Sequence, residues 1–305
     1  MKKIKVIESF HLTKKFGTLA AVNELSLSVA PGEIYGFVGL NGAGKTTTIR
    51  LLLGMIRPNN GMIKLFGKDI RKDFDLWNKI GYIVEAPHAY PNLSVRENLE
   101  IFVHLRKLAD KKSIDFIIDQ LKLRDYQHVK AKKLSSGNLQ RLGLAKALIH
   151  KPILLLLDEP ANGLDPAGII EIREMLKTLS ENGITVFISS HILAELARIA
   201  TKIGIIHRGR LIKELKTPEL EKQRTKKLII ANNNPNKTLM FLQKENISSR
   251  INQDNVIETD DKNAINNPAM ICEWLTKEGL TPKTFYVFQE DLESFFIRMI
   301  QNKES

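Results

Sequence analysis

With one cysteine in 305 residues, Cys272, the chain has no internal disulfide framework and no C-x-x-C pair for zinc or redox chemistry. Long apolar runs are missing as well. The densest, Ile153 to Leu157, stops at Asp158, far short of the ~20 residues that a membrane helix needs. Met1-Lys2-Lys3-Ile4-Lys5 is charged, with no apolar stretch behind it that would serve as a secretory signal. The expectation is a soluble, unprocessed, cytoplasmic protein, whose membrane role, if it has one, passes through a partner. Aromatic residues are sparse, at 7% with two tryptophans, and no basic run interleaves with them. Charge alone therefore does not identify a nucleic-acid binder. Acidic residues are the minority sign: 34 Asp and Glu against 46 Lys and Arg leave a net charge of +12. Residues 221–305 hold equal numbers of each, so the whole excess lies in the first 220. Such an excess fits a polyanionic ligand, an anionic membrane surface, nucleic acid or plain solubility.

What is present is an ordinary globular balance, 43% hydrophobic and 26% charged. The length fits about two domains at ~150 residues each. Residues 4–38 read as strands: Val22 to Val29 alternates, Pro31-Gly32 marks a turn, and Ile34 to Val38 is a short apolar run. Thr46 to Leu53 reads as a helix stopped by Gly54. Met62 to Phe66 and Ile80 to Val84 are short strands. Ser94 with Glu97 forms a capping box ahead of a helix to Leu108, followed by helices at Ser113 to Leu121 and Gly137 to Ile149. Strands at 153–157, 184–189 and 203–207 then alternate with helices at 167–180 and 192–200, which predicts an α/β fold with parallel strands. After about Glu221 asparagine becomes frequent. Strand-like runs, Lys227 to Ala231 and Phe285 to Phe288, flank helices near 237–244 and 268–278, with a last helix from Asp291 to Ile300. Residues 221–305 read as a small α+β appendage without a chemical motif.

Chemistry concentrates in the first 220 residues. Gly39-Leu40-Asn41-Gly42-Ala43-Gly44-Lys45-Thr46 fits G-x-x-x-x-G-K-[ST], with Thr47 next in the helix. Glycines let successive N–H groups turn toward a phosphate, and the helix start adds its positive dipole end. Lys45 reaches the β and γ phosphates, and Thr46 offers a hydroxyl to Mg²⁺. Asp158 and Glu159 end an apolar strand, as magnesium-dependent phosphoryl chemistry requires. Asp158 would hold the metal and Glu159 would act as general base on water. His191 either caps a helix or bonds a γ-phosphate; Phe16 either stacks on a purine or lies in the core. His11, His88, His104, His128, His150 and His207 show no metal-ligand spacing and read as structural or surface residues.

Together these features resemble the ATP-binding subunit of an ABC transporter. Leu134-Ser135-Ser136-Gly137-Asn138, with Gln140-Arg141-Leu142 behind it, is similar to that family's signature. Asn162-Gly163-Leu164-Asp165 is similar to its D-loop, Ser189-Ser190-His191 to its switch histidine, and Phe16 to its adenine-stacking ring. The resemblance spans roughly residues 4–220. It implies a P-loop NTPase cassette at 1–220, a mixed sheet with helices on both faces and a helical subdomain at about 86–150. Residues 221–305 would be a small accessory domain. It also implies ATP and Mg²⁺ as cofactors, and a second cassette, identical or not, whose Ser135, Ser136 and Gly137 cover the other face of the nucleotide. A separate membrane permease would be the partner, holding the chain at the inner face of the cell membrane; no nucleic acid is expected.

Two positions depart from the pattern. Glu85 stands where the family usually has Gln, placing a full carboxylate beside the metal as a candidate catalytic and metal residue. Ser136 and Asn138 replace Gly and Gln in the signature. Subunits for bacitracin resistance and lantibiotic self-immunity characteristically carry Glu at the first of these places. The stretches Ile80-Gly81-Tyr82-Ile83-Val84-Glu85-Ala86-Pro87 and Asn162 to Gly168 resemble theirs, which implies export of, or immunity to, a peptide antibiotic. A soluble ATPase acting on ribosomes or DNA and an importer subunit are the alternatives. Against them stand a single cassette with no heptad run, and a short Asn-rich tail instead of a large β-rich one.

Overall fold

The computed structural model describes residues 4–85, 87–108 and 112–302. Residues 1–3, 86, 109–111 and 303–305, which fall within the spans expected above, lie outside the described residues. The chain divides into two compact units that meet at Thr217 and Pro218.

In the first unit β1 (Ile7–Phe16) and β2 (Leu19–Val29) form a hairpin over Gly17, whose φ of 57° a two-residue turn requires. β3 (Ile34–Val38), buried along its whole length, leads into α1 (Lys45–Leu52). β4 (Asn60–Leu65) and β5 (Lys68–Asp69) then complete an antiparallel sheet of order β2-β1-β4-β5. β6 (Ile80–Ile83) follows. Next come three helices, α2 (Val95–Leu105), α3 (Lys112–Gln120) and α4 (Ser136–Leu148). α2 starts at the expected capping box. Ser94 Oγ accepts from Glu97 N–H at 3.2 Å and Glu97 Oε2 accepts from Ser94 N–H at 2.7 Å.

β7 (Leu154–Asp158), α5 (Pro166–Glu181), β8 (Thr185–Ser190), α6 (Leu193–Ala197), β9 (Lys202–His207) and β10 (Arg210–Lys216) close the unit. The second sheet has the order β10-β9-β3-β8-β7-β6, parallel except for β10. Leu154 and Leu156 join Ile49, Leu52, Val22 and Leu25 in the core that α1 fills between the sheets. Leu155 and Leu157 are equally buried on the opposite face, as the period of two demands. The expected α/β fold with a mixed sheet is what the chain adopts. Two local expectations need correction. The helix expected over 192–200 is only Leu193–Ala197. β10 was not expected, because its charged residues and mostly exposed pattern carry little apolar alternation.

His150, between α4 and β7, donates from Nε2 to the Ile80 carbonyl at 2.9 Å and leaves Nδ1 buried without a partner. Burial, and then the Arg106 charge, push its pKa down to about 4. A depressed histidine disfavours protons in the folded state while the unfolded chain still binds them. Stability is therefore expected to fall as pH drops from ~6.5 toward ~4. A melting-temperature series over that range checks this, and His150→Leu is expected to flatten that part of the loss.

The second unit begins within α7 (Thr217–Gln223) and continues through β11 (Lys226–Ala231), α8 (Pro235–Lys244), β12 (Arg250–Ile251) and β13 (Ile257–Thr259). α9 (Lys262–Asn266), α10 (Pro268–Lys277), β14 (Thr284–Gln289) and α11 (Leu292–Gln301) follow. Its sheet is antiparallel throughout, in the order β12-β13-β11-β14. Leu228, Ile230 and Ile257 pack against Leu242, Ile271 and Leu275 of the helices. The sequence indicated β11 and β14 but not β12 and β13, which are two and three residues long. Among the described residues no helix is long and apolar enough to cross a membrane.

Candidate active site

The loop 39–44 sits where parallel β3 gives way to α1, and sterics explain its glycines. A Cβ on Gly39 would lie 2.6 Å from the Ile206 carbonyl oxygen, and one on Gly44 would lie 2.3 Å from that of Ala21. Gly44 also holds φ at 107°, which only glycine adopts without strain. No side chain caps α1 at Gly44, so its first N–H groups remain for an anion. Lys45 is buried, and its ammonium donates to Gly39 O at 2.7 Å and Leu40 O at 3.2 Å.

β7 and β8 supply the other half. Asp158 and Ser189 are register partners on adjacent parallel strands. Asp158 is buried; its Oδ2 accepts from Thr46 Oγ1 at 2.7 Å and its Oδ1 from Ser189 Oγ at 2.6 Å. Thr46 and Asp158 thus present hard oxygen donors of the kind Mg²⁺ prefers. No group of three or more His, Cys, Asp or Glu among the described residues could hold a metal alone. A magnesium at such a site takes the rest of its shell from substrate phosphates and water.

Glu159 follows in a left-handed conformation, φ 46°, which turns its side chain back toward the loop. Its Oε1 pairs with Lys45 Nζ at 3.1 Å. Its Oε2 accepts from Asn162 Nδ2 at 2.7 Å and meets His191 Nδ1 at 2.8 Å. A carboxylate at that contact makes Nδ1 a protonated nitrogen. Burial raises the Glu159 pKa, but the bonds from Lys45, His191 and Asn162 outweigh it and leave the pKa below the usual glutamate value. The carboxylate is therefore ionised at neutral pH.

The remaining candidates lie apart from this cluster. Glu85, on the loop after β6 with φ 60°, pairs with Arg50 of α1. Among the described residues it bonds neither Thr46 nor Asp158. Phe16, at the end of β1, is 51% exposed with Lys14 Nζ 5.1 Å from its ring centroid, so it is not a core residue. Ser135 caps α4, its Oγ accepting from Asn138 N–H at 3.2 Å, and Ser136 Oγ donates to Gly163 O at 2.8 Å. Gly42 is in the left-handed region with open space around it, and Leu40 and Asn41 are exposed. Ala43 is buried and Thr47 is half-buried in α1. Two contributors stand in stretches quoted from the sequence but were given no role of their own there: Ser189, which bridges Asp158 to the Glu159 N–H at 3.0 Å, and Asn162. Their places directly before Ser190-His191 and three residues after Glu159 were the available signals.

Comparison with known proteins agrees with this geometry. The ABC transporter family pattern matches residues 22–162. The chain is 38% identical over 299 residues to the bacitracin transport ATP-binding protein BcrA of Bacillus licheniformis, covering 97% of each. It is 37% identical over 205 residues to the lantibiotic transport ATP-binding protein SrtF of Streptococcus pyogenes, covering 67% of this chain and 88% of that one. Among solved structures, a dimeric ATP-binding cassette in a post-hydrolysis state with ADP and Pi superposes with a TM-score of 0.63 at 25% identity. That match covers 69% of this chain and 98% of the other. A P-loop whose lysine meets a strand-end glutamate, carried on this fold and on this length of shared sequence, places the chain in the ABC transporter family as an ATP-binding, ATP-hydrolysing subunit.

Proposed function

We propose that the chain powers a separate membrane permease that exports a peptide antibiotic, or confers immunity to one. The observation that carries this reading is the full-length similarity to a bacitracin transport subunit, which includes residues 221–305 as well as the cassette. Importer and ribosome- or DNA-directed readings have no comparable support. With no spanning helix among the described residues, attachment at the inner face of the membrane runs through the permease.

In this reading the N–H groups of 39–44 and Lys45 hold the ATP phosphates. Thr46 and Asp158 would hold Mg²⁺, which would supply positive charge to the ATP phosphates. Phe16, half exposed, offers its ring to adenine. When a γ-phosphate engages Lys45, Glu159 loses a cation that depresses its pKa, and the pKa rises toward that of an effective base. Glu159 takes a proton from water; the water oxygen bonds the γ phosphorus, and the β–γ bridging bond breaks to give ADP and phosphate. His191, whose Nδ1 meets Glu159, would offer its Nε2 to the γ-phosphate. The α4 N-terminus at Ser135, Ser136 and Gly137 shares no bond with Lys45 or Glu159 in its own chain, and serves the nucleotide of a second cassette.

Glu85, held by Arg50, acts on the metal site only after leaving that partner. Arg50→Ala is expected to free Glu85 and to change the Mg²⁺ concentration needed for half-maximal nucleotide binding by ~1.4- to 5-fold, since exposed pairs contribute ~0.2–1 kcal/mol. A Mg²⁺ titration of fluorescent-nucleotide binding reads it.

The reading is tested in cells. A deletion strain, and one carrying Glu159→Gln, are expected to die at lower bacitracin or lantibiotic concentrations than the wild type. Equal survival across both classes removes the antibiotic assignment.

A further inference from the structure

β14 is an edge strand: among the described residues the order β12-β13-β11-β14 leaves one side of its backbone unpaired, with β11 on the other. The bond from Glu290 N–H to Thr225 O sets the phase of that ladder. Alternate residues of an antiparallel strand bond its neighbour. Thr284, Tyr286 and Phe288 therefore bond β11, while Phe285, Val287 and Gln289 turn their N–H and C=O outward. Such an edge is a template for another strand unless lysine, proline or a bulge guards it. Pro282 and Lys283 stand just before the strand, where Lys283 N–H still bonds Ala231 O, and Thr284–Gln289 itself contains neither lysine nor proline. Tyr286 and Phe288 are 51% and 41% exposed, beside Ile229 and Ala231 on the face opposite the helices.

We propose that β14 pairs antiparallel with β14 of a second copy of this chain, across a two-fold axis at Val287, joining the two accessory sheets edge to edge. Only a register that sets outward residues against outward residues satisfies both backbones. Centring on Val287 uses all three, with Phe285 opposite the copy's Gln289. The same register sets Tyr286 against the copy's Phe288 twice, an aromatic cross-strand arrangement. At both ends it brings exposed Lys283, just before the strand, toward the copy's exposed Asp291, whose carboxylate also accepts from Ser294 at the start of α11, a self-complementary charge pattern. Residues 221–305 carry no net charge, whereas the first 220 carry the whole +12. Copies that meet through β14 thus meet through a unit that carries no net charge.

This pairing is independent of the ATPase reading and is tested without nucleotide on the full chain. In a Cys272→Ser background, Val287→Cys is expected to give a covalent dimer on mild oxidation, and Met240→Cys, exposed on α8, none. Val287→Pro removes an outward N–H and no bond to β11. It is expected to weaken the sedimentation-measured dimer at least ~10-fold while circular dichroism stays unchanged. Should that variant fail to fold, Lys283→Asp is expected to weaken the dimer and Lys283→Arg to leave it intact. Three results would overturn the proposal: a monomer at tens of micromolar, equal cross-linking at positions 287 and 240, or disulfide capture of a different protein by the Val287→Cys variant in native membranes. ATP-driven pairing of Glu159→Gln is read separately, so failure here leaves the catalytic assignment standing.

Discussion

Glu159→Gln is expected to bind ATP with wild-type affinity or better and to lose turnover by ~10²–10⁴-fold, the usual contribution of a positioned general base. The geometry gives both halves of that result. Glutamine keeps the shape and can still accept from Asn162 and His191, but it takes no proton from water. It also ends the ion pair at 3.1 Å with Lys45, so the ammonium meets the phosphates without a competing carboxylate. Single-turnover phosphate release alongside fluorescent-nucleotide binding separates the two effects. Turnover at the wild-type rate would remove Glu159 as the base.

Lys45→Ala acts at the opposite end of that pair. The buried ammonium is seated in the loop itself, held by Gly39 O and Leu40 O. Charge-assisted hydrogen bonds contribute ~1.5–3 kcal/mol each, so losing two to phosphate lowers affinity by ~10²-fold or more. The variant also leaves Glu159 without its strongest cationic partner, and its pKa rises. Calorimetric titration with ATP reads the affinity, and an unchanged value contradicts the phosphate-cradle assignment.

The phosphate loop was legible in sequence because its chemistry forbids side chains: Gly39 and Gly44 cannot carry a Cβ without striking Ile206 O or Ala21 O. The parallel order was legible for a similar reason, since apolar strands such as Leu154–Asp158 are buried on both faces. What escaped were relations between distant segments. Arg50 and Glu85 are far apart in the chain, and no local pattern links a helix arginine to that loop. Ser189 matters because β8 lies beside β7, a fact of pairing rather than of composition. β12 and β13 are too short to show alternation, and they are held by pairing, β13 to β11 and β12 to β13, rather than by their own propensity.

The central claim is that this ATPase drives a membrane permease, and gentle solubilisation of native membranes followed by affinity purification of the tagged chain tests it most directly. The account predicts co-purification of a polytopic hydrophobic subunit, with ATP hydrolysis that changes when that subunit is removed. Recovery of soluble partners alone, such as ribosomal proteins, would contradict it.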